Sequence, residues 1–478
     1  MKPFHAFLTA ALAASGLLAQ APKAVPLVLE RVLTLPIQVP DTQVALDKLG
    51  EVIVIAPDFF VFTAHAAIPS PGAFNTGWGC FSWKGGELKT VLLDTKAFKP
   101  LHGEPFPEKT NLGPDRSRFL ASAGRLYFTA STGWVAFTPQ DHRSWTGGLY
   151  TWDGQRIQKV LAAGDTVPFN GATRTVKAAN LLAVRADGSC LTYLRTDKES
   201  GLALVKPGSA EPFFQDGPEG TLGTILAAAP QGEAIFALLE PKKGEPFLAA
   251  ITQGRVVRLL TLNGPDPTDP ASRLYGIVQG EAADAEALAF WCLIYKEGKV
   301  DWKRGKLLLW DRGAFRAMHE TETQVRLGGT EDQNEQWLLG CWWTNPAKRQ
   351  CLLFLRKRVD TRTAGFACRF YDGGSLNDVA AEGALPNLLP RAWPVPGAPG
   401  ALTLAGFDCP NFPKGEWRPV EALFEDRPPY RLQPGPELVS TNRVRFRPTV
   451  LRGGEGQRFV ALLPDGFYVT KPDSPAKP

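Results

Sequence analysis

Apolar residues in this chain come in short runs, each broken by a cluster of Gly, Asp, Asn or Pro and followed by a second run. "GLYTWDGQRIQKVLAAGDTVP" (148–168) shows the unit: two strand-like stretches around the turn Trp152-Asp153-Gly154. The same text recurs in "CFSWKGGELKTVLL" (80–93), "LALVKPGSAEPFF" (202–214), "FLAAITQGRVVRLLTL" (247–262), "KLLLWDRGAFRAM" (306–318) and "CRFYDGGSLNDVA" (368–380), with a weaker copy in "EALFEDRPPYRL" (421–432). Its turn glycines, Gly85, Gly154, Gly208, Gly254, Gly313 and Gly373, lie about 46 to 69 residues apart. Most copies follow another hairpin, such as "RFLASAGRLYFTA" or "LLAVRADGSCLTYLR". Two hairpins per period make four antiparallel strands.

Tight hairpin turns with the favoured twist need positive φ, which Gly tolerates best, and this explains the glycines. The apolar runs have another cause. A four-stranded sheet stacked between neighbours is buried on both faces and loses the alternation of a half-exposed strand. "SCLTYLR" (189–195), "WCLIYK" (291–296) and "QCLLFLR" (350–356) align in one slot and fix the register. A period of this length with four strands predicts an all-β chain, a β-propeller of four-stranded antiparallel blades. Seven repeats carry hairpin text. An incomplete eighth, "FRPTVLRGGEGQRFVALLPDGFYVT" (446–470), lacks an outer strand, and "ERVLTLPIQVPD" (30–41) resembles outer-strand text. The expectation is eight blades closed by the N-terminal strand, with a seven-bladed ring or two packed sheets as alternatives.

The first residues, "MKPFHAFLTAALAASGLLAQAPKA", add a compartment. Lys2, an uncharged apolar stretch and Ala19-Gln20-Ala21 form a secretory signal pattern, with the apolar run too short for a membrane anchor. Residues 1–21 are read as a signal peptide for Sec-type export, 22–471 as one propeller domain and 472–478 as a disordered tail. The expected location is secreted or periplasmic, without a membrane span. Formal net charge is only +5, and basic residues are scattered apart from "LRKRVDTR" (355–362), which excludes a concentrated nucleic-acid-binding face.

The quoted stretch resembles the repeat of secreted bacterial tandem-repeat proteins with a G-[IL]-[YF]-x-[WY]-D-G turn followed by [VL]-x-x-G-D-x-x-P. Gly148, Leu149, Tyr150, Trp152, Asp153 and Gly154 carry the first half, and Leu161, Gly164, Asp165 and Pro168 the second. The likeness covers about twenty residues well and the rest loosely. It implies a propeller-like exported fold and assigns no activity.

Candidate chemistry is sparse. The chain has no Gly-rich phosphate loop, nucleophile elbow, HExxH pair or CxxC pair. "NGPDPTDPASR" (263–273) reads as a Pro-stiffened linker rather than a calcium loop. His65 follows the run "FFVFTA", His102 lies in a long connection, and His142 lies in "STGWVAFTPQDHRSWTGG". In the repeat register these connections emerge at one end of a propeller. The candidate ligand-binding rim is therefore His65, His102, Trp134, Asp141, His142, Arg143 and Trp145, with Phe74, Asn75 and Trp78 nearby. Aromatic faces among charged groups suit a glycan or peptide. The imidazoles with Asp141 are also a metal-ligating set, but the reading commits to no metal and no cofactor; its bland alternative is a loop packing its own aromatics on the rim. Asp141 with Glu104 or Glu108 is the acid/base option.

Seven cysteines leave at least one thiol unpaired in a monomer, and Cys341 with Cys351, across one hairpin, is the candidate disulfide. The functional reading is a non-catalytic ligand- or protein-binding module of the cell envelope or extracellular space. Its rivals are a propeller hydrolase or lyase acting on polysaccharide and a structural envelope scaffold.

Overall fold

The computed structural model describes residues 29–34, 37–38, 45–56, 59–70, 73–93, 119–122, 124–131, 147–296, 299–321, 336–358, 364–378, 380–381, 395–396, 401–408, 418–425, 431–434, 460–463 and 466–470. Among them every regular element is a strand except one 3-10 turn, Pro346–Lys348. β1 (Leu29–Thr34) is followed by a sheet in chain order, β2 (Ile37–Gln38), β3 (Ala45–Ala56), β4 (Phe59–Ser70), β5 (Ala73–Lys84) and β6 (Glu87–Leu93). β7 (Phe119–Ser122), β8 (Arg125–Ser131), β9 (Gly147–Trp152) and β10 (Ile157–Leu161) form the next antiparallel meander. β11 (Thr166–Phe169) folds back on β12 (Ala172–Val184), which opens a meander with β13 (Cys190–Thr196), β14 (Ser200–Lys206) and β15 (Ser209–Gln215). A parallel pair, Ala178 with Gly147, joins these two meanders into one sheet.

The pattern then repeats. β16 (Thr221–Ala228), β17 (Ala234–Glu240), β18 (Phe247–Thr252) and β19 (Arg255–Thr261) form one sheet. β20 (Pro265–Asp266), β21 (Asp269–Asp284), β22 (Ala287–Lys296), β23 (Lys299–Asp311) and β24 (Ala314–Thr321) form another, followed by β25 (Gln336–Asn345), β26 (Gln350–Arg358), β27 (Ala364–Tyr371) and β28 (Leu376–Asp378). β29 (Ala380–Ala381), β30 (Val395–Pro396), β31 (Ala401–Asp408), β32 (Arg418–Glu425) and β33 (Arg431–Pro434) make a sheet in which β29 pairs β33 in parallel. The last sheet contains β34 (Val460–Leu463) and β35 (Gly466–Thr470), and its third strand is β1, antiparallel to β35 from Leu29 opposite Thr470 to Thr34 opposite Gly466. The expected pairing of the N-terminal strand with the last repeat is therefore present.

The sheets stack face to face, as the unalternating apolar runs require. Phe59, Val61 and Leu92 of the first sheet share a core with Phe128, Tyr150 and Trp152 of the next. Four similar cores follow in succession, ending with Trp291 and Leu309 against Cys351 and Tyr371. Each large side chain fully buried in such a seam stabilises the fold by roughly 1.5–3 kcal/mol. All six turn glycines have positive φ, from +56° at Gly85 to +99° at Gly154 and Gly373, so the turn reading holds.

A feature not anticipated from the sequence governs the outer strands. The pairing of the third and fourth strands skips one residue at Val91, Val160, Phe213, Leu259 and Met318. Such a bulge puts two consecutive side chains on one face and bends the edge strand, which discourages edge-to-edge pairing. The doublets Val91-Leu92, Val160-Leu161, Phe213-Phe214 and Leu259-Leu260 each enter the core shared with the next meander.

Two expectations are revised. "NGPDPTDPASR" is a short β20–β21 hairpin with Asp266 buried, not a bare linker. Asn263 N–H donates to Leu274 O and Leu274 N–H to Gly264 O, the arrangement that Gly164 and Asp165 make with Val176. The second half of the repeat motif is thus this crossover turn, and the Pro-rich segment is another copy of it. Cys341 and Cys351 are free, buried thiols rather than a disulfide. Cys341 faces Leu353 and Cys351 faces Trp343, so the two cysteines are diagonal neighbours. Their side chains are hydrogen-bonded, which together with burial pushes the Cys341 thiol well above its ordinary range.

Candidate functional site

Within each meander, the hairpin tips after the first and third strands fall at one end. The connections after the second and fourth strands leave from the other, which is called here the loop end. His65 belongs to the half of β4 nearer the loop end, opposite Trp78 of β5 and Lys48 of β3. It is therefore not in a loop after "FFVFTA": the strand continues to Ser70, and Phe74, Asn75 and Trp78 lie on the returning strand. His102, Trp134, Asp141, His142, Arg143 and Trp145 lie outside the described residues, as do the signal segment 1–21, the tail 472–478, Glu104 and Glu108. Of the proposed rim, the structure places His65 and its strand neighbours. Among the described residues, no group of three or more His, Cys, Asp or Glu is arranged to hold a metal.

The described residues hold a polar constellation elsewhere, in the β20–β24 sheet. On the third strand, the residue just before the bulge partner is Gly79, Gly148, Gly201 or Phe247 in other copies and Lys306 in β23. The Lys306 side chain is 4% exposed, and its Nζ donates to Oδ2 of Asp266, itself 0% exposed, at 2.7 Å. Oδ1 of Asp266 accepts from Thr268 N at 2.7 Å and Thr268 Oγ1 at 2.8 Å. Cys292, opposite Lys306 on β22, donates through Sγ to Lys306 O at 3.2 Å. Burial and the Asp266 charge drive the Cys292 thiol far above its ordinary range. It is a buried thiol rather than a nucleophilic thiolate. The ammonium is bound by a carboxylate and the carboxylate is met on both oxygens, so the cluster ties the crossover hairpin to the sheet.

A Cβ on Gly305 would collide with the Trp291 ring, so that ring closes over the glycine.

A second constellation lies at the tip end. Arg349 follows the 3-10 turn in left-handed conformation, φ +57°, with its side chain 7% exposed. Its Nε donates to Asp311 Oδ1 at 2.9 Å, and Nη1 donates to Asp284 Oδ2 and to Pro346 O. Burial works against the Arg349 charge, but the bonds to Asp284 and Asp311 outweigh it and raise its pKa. Trp343 Nε1 donates to Glu281 O across the same seam at 3.2 Å. These contacts clasp the β25–β28 sheet to the β20–β24 sheet.

Sequence reasoning missed Asp266, Lys306 and Arg349. Asp266 lies in the segment read as a linker, and Lys306 and Arg349 lie in hairpin text that singles out neither. The available signal was Lys306 itself, a charge at the head of the buried run "LLLW" in one copy of the repeat.

No family model matches the chain, and no curated protein matches it. Similar solved structures include TolB from Acinetobacter baumannii, at 14% identity over 58% of this chain and 56% of that one, with a TM-score of 0.27. The periplasmic gluconolactonase PpgL of Pseudomonas aeruginosa is 13% identical over 79% of this chain and 95% of that one, with a TM-score of 0.31. Endo-1,5-alpha-L-arabinanase from Thermotoga petrophila is 9% identical over 89% and 98%, with a TM-score of 0.25. The match spans little more than half of the TolB chain. At these values no site or activity transfers. The class the structure itself defines is an all-β protein of stacked antiparallel meanders. No helix among the described residues is long and apolar enough to cross a membrane.

Proposed function

We propose that the chain is an exported β-propeller of eight four-stranded blades, closed by β1, acting as a non-catalytic binding module of the cell envelope or extracellular space. One observation carries the reading: β1 is an outer strand of the sheet that holds β34 and β35, at the opposite end of the sequence. That is the arrangement by which a ring of blades joins its termini. β34 also approaches β3, the long strand of the first sheet, which supports the same closure. Export rests on the N-terminal signal pattern.

The assignment to binding rests on where the charged side chains are placed. Lys306, Asp266, Arg349, Asp284 and Asp311 are engaged with one another between and within sheets. Contact with a partner is assigned to the rim expected from the sequence, His65, His102, Trp134, Asp141, His142, Arg143 and Trp145. Aromatic and charged residues in that mixture suit a glycan or a protein surface.

The test uses the full chain secreted from a bacterial host. Thermal shift and calorimetry against short oligosaccharides are compared for the wild type and a Trp134→Ala/His142→Ala/Trp145→Ala variant, with reducing-end release and lyase products assayed in parallel. Binding that is lost in the variant at unchanged thermal midpoint supports the reading. Turnover overturns the non-catalytic assignment, and binding that survives the triple substitution overturns the rim.

A further inference from the structure

The doublet at the outer-strand bulge is apolar in four copies, Val91-Leu92, Val160-Leu161, Phe213-Phe214 and Leu259-Leu260. In β24 the extra residue is Met318, buried against the next sheet, and the second member is His319. A polar ring thus stands where the repeat elsewhere puts a hydrocarbon. Departures from a local rule of this kind mark sites under some other demand.

The chemistry of the His319 contact has one solution. Its Nδ1 lies 3.2 Å from Nη1 of Arg369, on β27 of the following sheet. A guanidinium has only donors, so Nη1 donates, Nδ1 accepts, and the accepting nitrogen carries no proton. The imidazole in this contact is neutral.

We propose that the His319–Arg369 contact makes the seam between the β20–β24 and β25–β28 sheets sensitive to pH. A proton on Nδ1 removes the acceptor and sets an imidazolium against the guanidinium. Other titratable groups stand on the strands around it. Arg316 and Glu320 share β24, and Arg316 donates to Gly373 O across the seam at 3.2 Å. Lys306 on β23 is opposite Glu320 and is bound to Asp266. Tyr371 follows on β27, and Asp378 of β28 is in register with Arg369. Glu320 is exposed, and strand alternation turns it away from the face that His319 shares with Arg369.

The sign follows from linkage. A separated or unfolded chain takes up the proton near the ordinary histidine value, about 6.5, while the intact seam resists it. Stability is therefore full above that range and falls as pH falls through it.

Thermal midpoints of the full chain and its H319L and H319Q variants at pH 8 and pH 5.5 provide the test. Leucine restores the hydrocarbon of the other copies, and the glutamine amide oxygen accepts from Arg369 at both pH values. The wild type should lose about 1–1.5 °C more than either variant between the two pH values, the most that one proton taken up near pH 6.5 can remove by pH 5.5 from a chain of this length. Corrected for the intrinsic pH dependence of amide exchange, protection should fall at pH 5.5 in residues 315–321 and 366–371 of the wild type. Equal pH dependence in all three proteins, or an exchange increase spread evenly over every sheet, overturns the proposal. If H319L does not fold, H319Q and the wild-type exchange pattern decide it.

Discussion

Replacing Lys306 by Met tests whether the buried ion pair is what holds the crossover hairpin. Methionine keeps the unbranched stem and removes the ammonium, leaving the Asp266 carboxylate with 0% side-chain exposure and without its 2.7 Å partner. Breaking one side of a buried pair costs about 3–5 kcal/mol, because the remaining charge stays desolvated. Here Oδ1 keeps both hydrogen bonds from Thr268, so the expected cost is at the lower end, about 3 kcal/mol. Asp266→Asn combined with Lys306→Met removes both charges and preserves an acceptor for Thr268. That double variant should fall within about 1 kcal/mol of the wild type, since exchanging a whole buried pair for neutral groups is often neutral.

The assay is urea unfolding of the wild type, both single variants and the double variant. Tryptophan fluorescence and far-UV circular dichroism are followed together, so that coincident transitions license one free energy. The double-mutant cycle should return a coupling of about 2–3 kcal/mol. A Lys306→Met cost below about 1 kcal/mol, additive with Asp266→Asn, would refute the reasoning and make Lys306 a buried stem with a replaceable head.

Gly305→Ala drives a methyl group into the Trp291 ring, and should cost about 1–3 kcal/mol with a shift in tryptophan emission; an unchanged midpoint and spectrum would contradict the packing. Asp153 is held below its ordinary carboxylate value of 3.8 by hydrogen bonds from Arg156 N and Gln155 N, so its contribution is present above about pH 4 and lost as pH falls through the lower folded value. The Asp153→Asn midpoint should therefore approach the wild type's between pH 5 and pH 2 by a small amount, the group being exposed, and a gap constant with pH counts against the turn assignment. Burial, with the nearby Asp187 charge, pushes the Cys190 thiol up to about 12; iodoacetamide at pH 8 should leave the folded protein's Cys190 peptide unmodified and label it in urea. Deleting residues 29–34 should lower the midpoint by several degrees, with exchange rising first in 460–470, whereas unchanged protection there would remove β1 from its proposed closing role.

What could be read from the sequence was whatever local backbone chemistry dictates. The turn glycines were legible because a tight reversal needs positive φ, which few other residues adopt. Cys190, Cys292 and Cys351 were legible as one slot because each sits in the second strand of its meander, where a small apolar group is needed. The bulge doublets were present in the text as adjacent apolar pairs. They read as ordinary strand ends because period-2 reasoning assigns consecutive residues to opposite faces, and only the skipped pairing puts them on one. The ionic contacts were opaque for a different reason. Lys306 meets Asp266 across 40 residues, and Arg349 meets Asp311 and Asp284 across 38 and 65. No spacing rule relates such positions until the strands are ordered in their sheet, for Lys306 and Asp266, or the sheets are stacked, for Arg349. His65, chosen for the rim by topology, falls on β4 because that strand runs on to Ser70, past the apolar text that suggested its end.

The Trp-Asp-Gly turn shows how one motif comes to serve two purposes. In the four-residue loops after Trp152 and Tyr371 the aspartate faces its own turn: Asp153 Oδ1 accepts from Gln155 N and Arg156 N, and Asp372 Oδ1 from Gly374 N and Ser375 N. In "WDRG" the loop is two residues shorter, with Arg312 and Gly313 both at positive φ. Asp311 then belongs to the strand and has no four-residue loop to cap. Its carboxylate is turned instead to the Arg349 guanidinium of the following sheet. Loop length decides whether the aspartate closes a turn or joins two sheets. Lengthening "WDRG" to "WDGGS" should therefore recover the local cap and release Arg349, lowering stability even though the turn itself is improved. A lengthened variant as stable as the wild type would mean that the Arg349 clasp contributes nothing.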